Sequence, residues 1–142
     1  MCNELNKALI EAAKIDNETI VKLLLAAGAD VHTHDDYALR LASMNGHPEV
    51  VKLLIAAGAD VNAYEGWALM LASERGYLEI VKLLIDAGAD LHAKDDYALR
   101  WASQNGHSEV VKLLEASMKP RTVTLELTDE QLEKIKKLLE TA

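Results

Sequence analysis

Phenylalanine is absent from this 142-residue sequence, and aromatic residues make up only 4% of it. Ala and Leu must therefore fill most of the interior, which favours small helices in close approach over one large globular core. Cysteine occurs once, at Cys2, so no internal disulfide can form and no oxidising compartment is needed. Positive charge is scarce: 15 Lys and Arg against 23 Asp and Glu leave a net charge of −8 at pH 7. A phosphate surface repels such a chain unless its cations gather in one patch, so no nucleic-acid partner is expected. Uncharged apolar runs fall well short of the roughly 20 residues that cross a bilayer. The opening, Met1-Cys2-Asn3-Glu4-Leu5-Asn6-Lys7, has no signal-peptide apolar region. The expectation is a soluble, cytoplasmic protein with no membrane partner. Half of the residues are apolar, enough to bury a core.

The pattern that is present is a repeat. Gly28-Ala29-Asp30 returns as Gly58-Ala59-Asp60 and Gly88-Ala89-Asp90, thirty residues apart each time. Val21-Lys22-Leu23-Leu24 returns at Val51, Val81 and Val111 with Lys-Leu-Leu following, so four copies occupy residues 1 to about 118. Their approximate bounds are 1–30, 31–60, 61–90 and 91–118. Within a copy, Leu39, Ala42 and Ser43 fall at helical spacing and Asn45-Gly46 is a helix stop. Pro48 suits the first turn of a second helix, whose apolar stripe is Val50, Val51, Leu53, Leu54 and Ile55 and whose end is Gly58. Two such short helices are marginal alone, so neighbouring copies must cover their apolar faces.

Residues 38–61, which run Ala-Leu-Arg-Leu-Ala-Ser-Met-Asn-Gly-His-Pro-Glu-Val-Val-Lys-Leu-Leu-Ile-Ala-Ala-Gly-Ala-Asp-Val, resemble the ankyrin repeat. The resemblance implies an all-α helix-turn-helix solenoid that is not an enzyme, holds no cofactor, and binds another protein on its concave face. It also implies that His47 and His107 brace neighbouring loops through hydrogen bonds. The ankyrin period is about 33 residues. Here Asp35-Asp36-Tyr37-Ala38 replaces the usual Gly-x-Thr-Pro element, and three residues are missing from the segment that forms the protruding hairpin. Short, blunt loops follow, with Asp35 or Asp36 expected as the helix N-cap.

The two ends depart from the pattern. Glu11 stands where the inner units carry Leu41 and Leu71, as a terminal cap requires. The fourth unit breaks at Ala116-Ser117-Met118-Lys119-Pro120, and Trp101 replaces the Leu. Residues 119–142 form a different appendix. Thr122 to Leu127 alternate as a strand, and Thr128-Asp129-Glu130-Gln131 is a capping box opening an amphipathic helix. Val123, Leu125, Leu127, Leu132 and Ile135 are the candidate self-association residues for a homodimer; the alternative is a helix that folds back over Trp101, Val110 and Leu114. The appendix carries five cations and five anions, so the whole excess of negative charge lies on the repeats.

Catalytic signatures are weak. His32 and His34 lie two apart but lack the further ligands of a metal site, Cys2 has no nearby cation, and no phosphate loop or nucleophile arrangement is legible. Binding has better support. Compared at equal register, the units keep Val51-Lys52-Leu53-Leu54 and Gly58-Ala59-Asp60 but vary at His34, Tyr64 and Lys94; at Arg40, Met70 and Arg100; and at Glu74 and Arg75. These eight residues together with Trp67 are the candidate partner-binding residues, Tyr64 and Arg75 foremost because each occurs in one copy only. Tyr37, Trp67 and Tyr97 also fit a simpler role as fillers of the space left by the shortened hairpin. Asp35, Asp36, Glu65, Asp95 and Asp96 line the loops and favour a basic or mixed partner, unless they serve as caps and solvated groups.

Overall fold

The computed structural model describes residues 2–118 and 126–141. Eight helices form four antiparallel pairs: α1 (Cys2–Lys14) with α2 (Glu18–Ala26), α3 (Thr33–Asn45) with α4 (Pro48–Ala56), α5 (Ala63–Arg75) with α6 (Leu78–Asp86), and α7 (Ala93–Gln104) with α8 (Ser108–Met118). A ninth, α9 (Asp129–Glu140), follows. The first helix of each pair stacks on the first helices of its neighbours, and the second helices stack likewise in a looser layer. Ala12, Ala42, Ala72 and Ala102 are fully buried in the tight layer. Their single methyl groups let backbones approach, whereas the second helices are spaced by Val21, Val51, Val81, Leu54, Leu84 and Leu114. A stack with one tighter layer bends toward it, so the first helices line the concave side.

The punctuation read from the sequence holds. Pro48 occupies the first turn of α4, and Gly46 ends α3 in the left-handed region at φ 76°. A side chain at Gly46 would also meet Tyr77, whose ring lies 2.9 Å from the place of a Cβ. The Thr128–Gln131 capping box of α9 closes in both directions, at 3.2 and 3.0 Å.

Two expectations are corrected. Asp35 and Asp36 do not cap α3: residues 34–36 all have positive φ, and the right-handed helix begins only at Tyr37. The same three-residue left-handed turn recurs at Tyr64-Glu65-Gly66 and Lys94-Asp95-Asp96, where the chain makes up for its three missing residues. Such residues cost about 1–2 kcal/mol each when they carry a Cβ, so compensating contacts are needed. The Asp36 carboxylate, its side chain only 5% exposed, turns away from its own helix and accepts the Asp60 backbone N–H at 2.9 Å. Asn6 serves Asp30 in the same way at 2.7 Å. Gly66 has no side chain to offer, and Asn62 takes over, accepting from the Asp90 N–H at 2.6 Å and donating to the Gly88 carbonyl at 3.1 Å. Each rung ties the opening of a repeat to the loop that closes the same repeat.

The second correction concerns the appendix. The stretch expected as a strand, with Val123 and Leu125, lies mostly outside the described residues; residues 126–128, its described end, are not in a strand, and no strand occurs among the described residues. A lone strand has no partner for its backbone groups. Leu127 is half-buried, and Leu132 and Ile135 are exposed on α9, which has no buried residue.

Candidate interaction surface

The left-handed turns set the surface. Position 34 and its counterparts Tyr64 and Lys94 sit at the crest of each turn, where a positive φ throws the side chain outward; all three are exposed, Tyr64 to 53%. Behind each crest comes the aromatic that opens the right-handed helix: Tyr37 and Trp67 exposed, Tyr97 half-buried.

Arg40 holds the first two turns together. Its Nε and Nη2 donate to the carbonyls of Asp35 and His34 at 3.1 and 2.8 Å. The same guanidinium lies over Tyr37 and Tyr64, 4.9 and 4.5 Å from the ring centroids. Tyr64 in turn tilts against Trp67, centroids 5.9 Å apart. Arg100 repeats the backbone contacts, donating to Asp95 and Lys94 carbonyls at 2.9 and 3.0 Å, and lies 6.0 Å from Tyr97. Guanidinium donors neutralise the carbonyl ends of an unfavourable turn, so these two candidates support the scaffold while presenting aromatic faces beside them.

Met70, the third member of that set, points inward. It is only 4% exposed and forms the floor of a cleft of about 100 Å³ with Trp67, Leu71, Glu74, Lys94 and Tyr97. A thioether gains by folding inward, where a guanidinium must reach out to donors and water. Lys94 is ion-paired with Glu65 across the repeat boundary, and that carboxylate raises the lysine's pKa above its ordinary value. Glu74 is half-buried; its backbone carbonyl accepts from Asn105 and from the His107 Nε2 at 2.8 Å, and its carboxylate has no ion pair among the described residues. Arg75 is exposed at the far end of α5, apart from the aromatic group. Tyr97 and Leu71 join the site although the copy-to-copy variation did not single them out. Their signal lay in the aromatic repeated at 37, 67 and 97.

The histidines brace, as the resemblance implied. His47 Nε2 lies 3.0 Å from the Lys14 carbonyl, as His107 does from Glu74. His32 Nδ1 is 3.1 Å from Asp36, which accounts for one member of the His32–His34 pair. Among the described residues no three His, Cys, Asp or Glu side chains converge as metal ligands, and no helix is long and apolar enough to cross a membrane.

Against known families, the model for ankyrin repeats (three copies) matches residues 9–95 and again 68–122. The chain is an ankyrin repeat protein. Ankyrin repeats are generally protein–protein interaction modules. In this ankyrin array the exposed aromatic side chains that are held in place belong to the first-helix face.

Proposed function

We propose that the concave, first-helix face captures a segment of another protein, without catalysis, through Tyr64 and Trp67 flanked by His34, Arg40, Lys94 and Arg100. One observation carries this reading: Tyr64 is half exposed yet fixed between the Arg40 guanidinium and the Trp67 ring. A large apolar side chain already ordered in the free protein loses little rotamer entropy on binding, which favours it as an anchor. The partner is basic or mixed in charge, because Arg40, Arg100 and Lys94 are engaged internally while Asp35, Asp95 and Glu74 stay open.

The test is affinity capture followed by direct measurement on the captured partner, comparing the native chain with Tyr64→Ala/Trp67→Ala and with Arg75→Ala. The double change is expected to weaken binding roughly 100-fold, in the range of two anchor residues. The thermal midpoint should move little, since both side chains are largely outside the core. An unchanged dissociation constant moves the contact surface elsewhere on the array.

A second reading has its own observation. Leu132, Ile135, Leu138 and Leu139 are all exposed along α9. In this reading α9 pairs with that of a second copy, making the protein a self-assembling scaffold. Sedimentation of the full chain and of one lacking residues 121–142 decides it: the full chain at twice the monomer mass and the shortened one at once supports the dimer, and two monomers reject it.

A further inference from the structure

The second, third and fourth repeats are internal controls for one another, and the arginine that braces the second and the fourth is missing from the third. In the second repeat the guanidinium of Arg40 sits over Tyr37 and Tyr64 while donating to the carbonyls of His34 and Asp35. Thirty residues on, Arg40 becomes Met70, Tyr37 becomes Trp67, and Tyr64 becomes Lys94. Those three residues line the cleft of about 100 Å³. The space filled by a guanidinium at one repeat boundary is therefore a void at the next. The carbonyls equivalent to those of His34 and Asp35 are those of Tyr64 and Glu65, and among the described residues no side chain donates to them.

We propose that this cleft receives an arginine side chain from the protein segment bound on the first-helix face, its guanidinium lying against Trp67 and donating to the Tyr64 and Glu65 carbonyls. The inference rests on that reading of the face and adds the chemistry of the residue captured. Arginine is specified over lysine by geometry: two neighbouring carbonyls are served at once by the parallel N–H groups of one planar fork, as Arg40 and Arg100 serve theirs, and an ammonium has no such pair. The flat cation also stacks on an indole, the most favourable aromatic partner. Charge agrees. Glu74 lines the cleft, and the one ammonium there, Lys94, is already drawn to Glu65 beside it.

The probe is a seven-residue peptide holding one arginine among glycines and serines, with a lysine counterpart, each titrated into the full chain. The Trp67 indole N–H resonance, distinguished from that of Trp101 by a Trp101→Phe variant, reports occupancy. The expected result is a saturable shift for the arginine peptide, bound roughly tenfold more tightly than the lysine peptide, the scale of one charge-assisted hydrogen bond. Met70→Arg supplies the guanidinium from within and should abolish the shift, with the helical dichroism retained. Should that variant not fold, Trp67→Leu read through the Tyr97 ring resonances serves instead and should lose binding. Equal affinity for the two peptides, no saturation, or an unchanged response in the folded variant overturns the proposal. If the peptide fails while capture of the whole partner still depends on Tyr64 and Trp67, only the arginine assignment falls. If the peptide binds and whole-partner capture ignores those residues, the arginine assignment stands as a cleft specificity and the larger face is wrong.

Discussion

Gly66 shows how much one hydrogen atom in place of a side chain carries here. It is the third residue of a left-handed turn, at φ 79°, in the one inner repeat that has no arginine to brace that turn. The repeat with the least support thus has the residue that needs the least. Gly66→Ala should lower stability by about 1–2 kcal/mol, from the positive φ alone. The added Cβ, 3.3 Å from that of Ala93, contributes in the same direction. Urea unfolding measures it, and a midpoint equal to that of the native chain contradicts the turn. Lys94 offers a second test at this scale. Hydrogen bonding and attraction from Glu65 raise its pKa above 10.5, so folding favours the charged form. Its contribution is fully present below pH 10.5 and is lost as pH rises through the folded value. A Cε resonance titrating at or below 10.5 would count against the pair.

At the scale of the element, the helices were legible and the turns were not. Glycine and proline punctuation located α3 through α6 because a helix end requires an αL residue and a helix start tolerates a missing N–H. Asp35-Asp36 misled because short acidic side chains suit both an N-cap and a left-handed backbone, and sequence spacing does not separate the two. The glycine at 66, in register with Asp36 and Asp96, was the available sign of positive φ. At Met70, variation between copies goes with packing: the side chain folds inward where its counterparts reach out. The brace itself can be tested by exchanging these roles. Arg40→Met removes two hydrogen bonds and leaves the His34 and Asp35 carbonyls without a side-chain donor, at an expected cost of about 1–2 kcal/mol. Thermal unfolding reads it, and the loss should exceed that from Arg100→Met, whose guanidinium lies farther from its ring.

For the molecule as a whole, the rungs, one within each of the first three repeats, make a series with a built-in direction. Each is an acceptor side chain on one unit and the backbone N–H of Asp30, Asp60 or Asp90 at the end of that unit. Asp96 is the next acceptor in register; its side chain is 44% exposed and is met by His92 instead. The residue twenty-four positions on, where Asp60 answers Asp36, is Pro120, and proline has no N–H to give. Growth by duplication is therefore permitted at one joint and refused at another. A second copy of residues 61–90 inserted after residue 90 brings its own acceptor in Asn62 and its own donor in Asp90, and should lengthen the array with a higher unfolding midpoint. A copy of residues 91–120 brings an acceptor with no donor and should give no such gain, so the sequence already distinguishes a unit that can be multiplied from one that can only be last.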